Sequence, residues 1–379
     1  MANIPDGNKK IEEFQKKPVK ASAKAQAQRR KKRLITAFCI IVVVLLLLFG
    51  AYHLILNHYL GKLNLVTDGE DLEYQTEALT QNAVTEEIYH NGELNGDNLP
   101  RICNNKDVFH VLLLAVDSRG NEAGRSDSMI LLSVNKENKK IVLCSFLRDI
   151  LAKFPKDMKS PVAGKYDKLT HAHAYGGPEL TMAVLEETFN IDVNYYAKVN
   201  FASFQKIIDA MGGVQLYLTA DEVAVINRGI SEEGDNENVS VGNRTFLSPV
   251  KEGVFTLNGA QALCHARNRS LGSDWARTQR QRDLLEAMAK KGTSLSLTQL
   301  NRLLNTVLPL ITTNVPKDEI KDIISQAPLY LTYDMENTRI PGDGMYREEN
   351  YNIIPDLEEN CKDLYERIYG KEIKDTKED

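Results

Sequence analysis

VFHVLLLAV, residues 108–116, is apolar at every position except His110. So continuous a run is the pattern of a strand covered on both faces, because a strand with one wet face alternates instead. The run ends at Asp117-Ser118-Arg119-Gly120. In open α/β sheets, ligands gather where such strands end. Downstream, residues 128–134 and 140–146 read as a hairpin joined by the polar turn 135–139, and the second strand stops at Arg148-Asp149. Gly176-Gly177-Pro178 opens a helix over 178–189, with Pro in its first turn. A strand over 195–199 follows, then a helix over 201–211 stopped by Gly212-Gly213, then a strand over 214–218. Residues 228–250, rich in Gly, Asn, Ser and Glu, read as a mobile loop. Helices are expected over 257–263, 297–304, 317–326 and 356–369. The alternation predicts the α/β class: an α/β/α layered domain with a central mixed β-sheet, spanning 106–370.

The domain is preceded by a segment of a different kind. Residues 1–33 are polar and end in Arg29, Arg30, Lys31, Lys32 and Arg33. Residues 34–52, LITAFCIIVVVLLLLFGAY, carry no charge and are long enough to cross a bilayer, so one transmembrane helix is expected over 34–56. A cleaved signal peptide would have a shorter apolar region and a small-residue cleavage site. The basic flank lies before this segment and an acidic one (Asp68, Glu70, Asp71, Glu73) after it. The expected topology is therefore a cytoplasmic basic tail over 1–33, with everything beyond about residue 56 outside the cell membrane. Residues 57–105 read as an extracellular stalk with one helix near 72–90, and 371–379 as a charged tail.

The net charge of -5 argues against nucleic acid as a partner. The positive charge is instead concentrated in ARNRSLGSDWARTQRQR, residues 266–282, which holds five arginines and one acid, Asp274. Arginine's planar fork matches paired phosphate oxygens. Asp274, Arg277 and Gln281 fall on one helical face, with Ser273 placed to cap that helix and Leu284, Leu285 and Met288 carrying it into the core. Arg267 and Arg269 share a face if residues 263–269 are extended. This stretch reads as a pocket for a polyanion, most simply a di- or polyphosphate; the plainer reading is a solvated basic face.

Asp117 and Asp127 lie at or near strand ends. Two carboxylates of this kind, with phosphate oxygens and water, are a usual way to hold Mg²⁺ (or Mn²⁺), although turn acids are common there too. Arg119, Arg125 and Arg148 accompany them. His171 and His173, spaced i, i+2, have no third histidine or cysteine nearby and read as hydrogen-bonded loop histidines. Tyr175 and the apolar residues of 180–189 and 207–211 read as core, with a greasy groove as the alternative. The sequence has neither a G-x-S-x-G elbow nor a P-loop. None of the five cysteines forms a metal-binding spacing; whether Cys103 and Cys361 pair stays open.

Six ordered blocks together resemble the LytR-CpsA-Psr family of cell-wall enzymes. They are LLLAVDSRG (112–120), RSDSMILLSVN (125–135), SFLRD (145–149), KLTHAHAYGGPELTMAVLEETFNI (168–191), YYAKVNFASFQKIIDAMGGV (195–214) and LNGAQALCHARNRSLGSDWARTQRQRDLL (257–285). The resemblance implies phosphotransfer: an anionic glycopolymer, of teichoic acid or capsular polysaccharide type, passes from a polyprenyl-pyrophosphate carrier to peptidoglycan. It further implies that Asp117 and Asp127 hold Mg²⁺. Arg119, Arg148, Arg267, Arg269, Arg277 and Gln281 would bind the pyrophosphate. Arg148, Arg267, Arg269 and Asp274 would form the catalytic group, with Asp274 orienting arginines and Arg125 a lesser candidate. An apolar tunnel between sheet and helices would carry the lipid. The chain departs from the family pattern at Ala115-Val116, Leu147 and His265 without losing a charged position. Hydrolysis of the same carrier would use the same residues, whereas binding of wall polymer without catalysis would need the arginines but neither Asp117 nor a divalent metal.

Overall fold

The computed structural model describes residues 57–66, 99–102, 106–117, 124–157, 162–232, 245–330 and 332–370. The basic tail, the apolar segment 34–56, the helix expected near 72–90, Arg119, Cys103 and the charged tail lie outside the described residues. Among those described, no helix is long and apolar enough to cross a membrane. The chain divides into two compact units, Met1–His58 and Tyr59–Asp379, and the fold below belongs to the second.

In chain order the strands are β1 (Asn64–Leu65), β2 (Val108–Val116), β3 (Ser126–Asn135), β4 (Lys140–Phe146), β5 (Leu151–Lys153), β6 (Tyr166–Lys168), β7 (Tyr195–Asn200), β8 (Val214–Leu218), β9 (Gly253–Leu257), β10 (Thr312–Thr313), β11 (Asp334–Ile340), β12 (Tyr346–Glu349) and β13 (Asn352–Pro355). The helices are α1 (Leu169–Phe189), α2 (Phe201–Ala210), α3 (Ala220–Glu232), α4 (Gly259–Arg267), α5 (Asp274–Thr293), α6 (Leu297–Val307), α7 (Lys317–Tyr330) and α8 (Leu357–Tyr369). Seven strands form one mixed sheet in the order β1-β10-β7-β2-β3-β4-β11, with β2 near its middle as its apolar sequence requires. β2 runs antiparallel to β3 and parallel to β7.

The two faces of this sheet do different work. Leu112, Leu131 and Cys144 lie side by side across β2, β3 and β4, and Leu114, Met129 and Phe146 form the next row. Both rows are buried in the main core with α1 and α8 residues such as Leu185, Phe189 and Leu364. The alternate row, Leu113, Ile130 and Ser145, points to the opposite face. Helices α2, α4 and α5 lie over that side and share a second core with β8 and β9. The helix–sheet–helix layering expected from the alternation is present.

Several details differ from the sequence reading. Helix α1 begins at Leu169, earlier than the expected helix, and its regular geometry breaks at Gly176 and Gly177, the latter at φ +66. β8 leaves the main sheet and pairs only with β9. The expected loop over 228–250 begins inside α3, which runs to Glu232. β11 is an addition to the expected strands; its sequence, DMENTRI, lacks the apolar run that marks a central strand, because it forms the edge of the sheet. Two pieces of the expected stalk join the fold: β1 extends the sheet edge, and Ile102 is fully buried in the main core. Cys361 is a free buried thiol, pushed up to about 12 by burial, that donates to the Phe189 carbonyl.

Candidate functional site

A cavity of about 540 Å³ lies between the sheet and the helices on its second face. Its floor comes from the alternate rows of three strands: Leu113 and Ala115 of β2, Ser128 and Ile130 of β3, and Ala197 and Val199 of β7. The small residues at three of these positions, Ala115, Ser128 and Ala197, leave the space. The walls are apolar: Phe204 and Ile207 of α2, Leu263 of α4, Leu284, Leu285 and Met288 of α5, and Val307 of α6. One end is polar and holds Asp117, Asp127, Arg148, Arg267, Arg269, Arg277 and Gln281. Every described residue of the expected metal and pyrophosphate sets therefore lines one cavity; of the expected catalytic group, Asp274 does not. Arg119 lies outside the described residues.

Asp127 reaches this end because the sheet is irregular there. Ala115 pairs with Ser128 and Val116 with Ser126, so Asp127 is an extra residue in β3 at a β-bulge. Neighbouring residues of a regular strand face opposite ways. The bulge re-aims the chain so that Asp127 and Ser128 both line the cavity.

The charged groups form a connected set. Arg148 Nη1 donates to Asp127 Oδ1 at 2.5 Å, and Arg269 Nη2 lies 3.8 Å from the same oxygen. Arg277, only 2% exposed, sits 2.8 Å from Asp274 Oδ1 and donates to the Asp127 carbonyl at 3.4 Å. Arg269 Nε approaches Asp274 at 3.7 Å. Asp274 thus does not line the cavity but grips two arginines beside it. Arg267 stacks over the Phe201 ring at 4.7 Å, a cation–π contact. Gln281 Nε2 donates to the Ala266 carbonyl at 3.4 Å, while its Oε1 is buried with no partner. The Nε group of Arg277 is likewise a buried donor without an acceptor.

Burial shapes the ionisation. It raises the Asp274 carboxyl, against the pull of Arg277 and Arg269, and it lowers the Arg277 guanidinium. Burial works against the charge on Arg148 too, but Asp127 and Asp149 outweigh it and raise its pKa. Asp149 is pushed up by burial and brought down further by Lys168 and Arg148. Lys168 Nζ donates to Asp149 at 3.0 Å, and Asp149 lies 3.6 Å from Arg148 Nε. Lys168 and Asp149 thus brace Arg148 from behind. Lys168 and Phe201 both fall in quoted blocks, yet nothing in their local sequence marks a role at the site.

Other expectations resolve as follows. Asp274, Arg277 and Gln281 do lie on one helix, α5, and Ser273 takes its N-cap position but makes no side-chain cap bond. Residues 263–267 are helical, not extended, so Arg267 and Arg269 are brought to the cavity by the end of α4 and the turn after it. Tyr175 and most of residues 180–189 are core, and of the groove candidates Ile207 alone lines the cavity. Arg125 does not line it; its carbonyl accepts from the Asp117 amide at 3.1 Å. His171 bonds Asp167 and His173 bonds the Gly124 carbonyl, as hydrogen-bonded histidines.

The sequence matches the family model of the LytR_cpsA_psr family over residues 66–366. It is 34% identical over 237 residues to the polyisoprenyl-teichoic acid--peptidoglycan teichoic acid transferase TagU of Bacillus cereus, covering 62% of this chain and 69% of that protein. Among solved structures it is similar to TagT bound to LIIa-WTA, with a TM-score of 0.54, 28% identity, and 72% and 97% of the two chains covered. It is also similar to the LytR-CPS2A-psr family protein YwtF (TagT) with bound octaprenyl pyrophosphate lipid, with a TM-score of 0.50, 26% identity, and 73% and 97% covered.

Proposed function

The chain belongs to the LytR_cpsA_psr family, and from that membership we infer that it is a transferase moving an anionic glycopolymer of teichoic acid type from a polyprenyl-pyrophosphate carrier to peptidoglycan. The observation that carries this to the present chain is the lining of the cavity: apolar walls and floor together with a cluster of arginines. A polyprenyl pyrophosphate has the same division, a greasy chain with a doubly phosphorylated head.

On this reading the polyprenyl chain lies along Leu113, Ile130, Ala197, Phe204, Leu285 and Met288, and the head group meets the arginines. Arg148, Arg267, Arg269 and Arg277, with Gln281 and Arg119, bind the phosphate oxygens. The unpartnered Nε donor of Arg277 has hydrogen-bonding capacity to give. An acceptor sugar hydroxyl attacks the phosphorus that carries the glycan. The bond from that phosphorus to the bridging oxygen breaks, the hydroxyl proton passes to water, and lipid monophosphate departs. Negative charge grows on the bridging oxygen, so fixed guanidinium groups stabilise the transition state more than the ground state. Asp274 positions Arg277 and Arg269, and Asp149 with Lys168 positions Arg148.

Among the described residues no three acids, histidines or cysteines form a metal cluster. Two carboxylates at the phosphate end, Asp117 and Asp127, instead fit Mg²⁺ (or Mn²⁺), which takes one or two carboxylates together with substrate phosphates and water. Bound there, the ion would neutralise pyrophosphate charge. Residues 34–56 are the proposed single membrane span, with the N-terminus cytoplasmic and the catalytic domain outside, keeping the site beside a carrier confined to the bilayer.

The test is incubation of the full-length protein with radiolabelled carrier-linked glycopolymer and peptidoglycan oligomers. The expected products are phosphodiester-linked glycan and lipid monophosphate in equal amounts. Monophosphate without attached glycan would identify a hydrolase, and binding without turnover a polymer-binding protein.

A further inference from the structure

Arg282 is as deeply buried as Arg277, at 2% exposed, yet its environment differs from those of Arg148, Arg269 and Arg277. Arg148, Arg269 and Arg277 each face a carboxylate, and neighbouring Arg280 pairs with Glu222. Arg282 makes no ion pair among the described residues. Its Nη1 donates to the Ser145 hydroxyl at 2.6 Å, its Nη2 to the Gln279 side-chain carbonyl at 2.5 Å, and its Nε is buried with no acceptor. Asp283, whose charge favours the guanidinium, makes no ion pair with it and accepts from Gln279. The next charged side chain facing it from the sheet, Arg339, is itself a cation.

An ion left uncompensated inside a protein is costly, and replacing such a group with an apolar one of similar size is often neutral or stabilising. The position of Arg282 suggests what offsets that cost. Ser145 pairs directly with Ile130, which forms part of the cavity floor. The guanidinium is therefore one strand away from the cavity, a spacing of about 5 Å. Arg148 lies three residues beyond Ser145, roughly 10 Å along the chain.

We propose that Arg282 is an electrostatic positioning residue for the pyrophosphate: a buried cation with no direct ion pair, held beside the cavity floor, whose field draws the doubly phosphorylated head into the arginine-lined end without touching it. Arg148, Arg269 and Arg277 are partly spent on their own carboxylates, so a cation without an ion pair of its own adds to the site's positive field. The hydroxyl of Ser145 and the amide of Gln279 hold the charge in place through neutral dipoles, which leave the field intact. This inference rests on the functional reading above.

The test compares the full-length protein in detergent micelles with its Arg282→Met, Arg282→Gln and Arg282→Lys variants. Binding is measured to geranylgeranyl pyrophosphate and to its uncharged alcohol, geranylgeraniol, alongside thermal stability. Arg282→Met is expected to weaken pyrophosphate binding about tenfold, the order set by one charge acting through some 10 Å of partly buried medium. Alcohol binding and melting temperature should hold or rise, and Arg282→Lys should recover most of the affinity. If Arg282→Met does not fold, Arg282→Gln, which can keep a bond to Ser145, serves for the same comparison. Unchanged pyrophosphate affinity, or equal loss for pyrophosphate and alcohol with a lowered melting temperature, would overturn the proposal. A wild-type protein that does not prefer the pyrophosphate to the alcohol overturns the functional reading itself, and this inference with it.

Discussion

Asp127 and Arg148 are 21 positions apart in sequence and are joined by a 2.5 Å hydrogen bond at the phosphate end of the cavity. The bond exists because the bulge in β3 re-aims Asp127 while β4 delivers Arg148 just past its last residue. Replacing Asp127 by Ala removes a proposed metal ligand and releases Arg148 from its nearest carboxylate. Transfer is expected to fall by about 10²–10³. Asp149 and Lys168 still hold Arg148 from the other side, so the fold should survive with a melting temperature lowered by only a few degrees. Circular dichroism melts beside a transfer assay separate the two effects.

Much of this arrangement is legible in the sequence, and the reasons differ by residue. The apolar run of β2 fixes the centre of the sheet, since only a doubly covered strand has no polar face to show. Asp274, Arg277 and Gln281 could be placed together because a helix has a fixed period. The Asp127–Arg148 contact could not be read, because a bulge leaves no local mark in SDSMILLSVN. Nor could the edge strand β11, whose half-exposed surface permits polar residues throughout. The cavity walls were also hidden: Phe204, Leu285 and Met288 look like any core residues until small side chains at Ala115 and Ala197 are set opposite them.

Asp274 and Arg277 form a pair whose two members are unequal in depth, Arg277 being almost fully buried. Arg277→Met leaves Asp274 with Arg269 at 3.7 Å and the weaker pull of Arg148, and burial already raises its carboxyl. The expected cost is about 3 kcal/mol of stability, at the low end for a broken buried pair because Asp274 keeps some solvent contact. The double variant Asp274→Asn with Arg277→Met removes the stranded charge and should recover a large part of that loss, without restoring transfer. A double-mutant cycle by urea denaturation measures the coupling.

Gly259 opens α4 at its closest approach to α2. A Cβ there would lie 2.2 Å from the Gln205 carbonyl oxygen, a contact with rigid backbone that cannot yield cheaply. Gly259→Ala is expected to destabilise the protein by about 1–3 kcal/mol, the usual range for forcing extra volume into a packed site. Because α4 ends at Arg267, the same shift should lower transfer more than its effect on folded fraction explains. Denaturation curves give the first quantity, and rates normalised to folded protein the second.

His173 sets a pH limit on the fold. Its Nδ1 bonds the Gly124 carbonyl at 2.7 Å, and its Nε2 is buried without a partner. Protonation would therefore add a second buried N–H with nothing to accept it. Burial lowers its pKa to about 4, from 6.5 for a free histidine. Between these values the unfolded chain binds the extra proton and the folded chain does not. Stability from this group is then fully present above pH 6.5 and declines as pH falls toward 4. At pH 5 the loss is about 2 kcal/mol relative to neutral pH. His173→Gln, which can keep a donor toward Gly124 but does not titrate, is expected to flatten the fall in melting temperature between pH 7 and pH 5. Parallel slopes for wild type and variant across that window would show that His173 is not the titrating group.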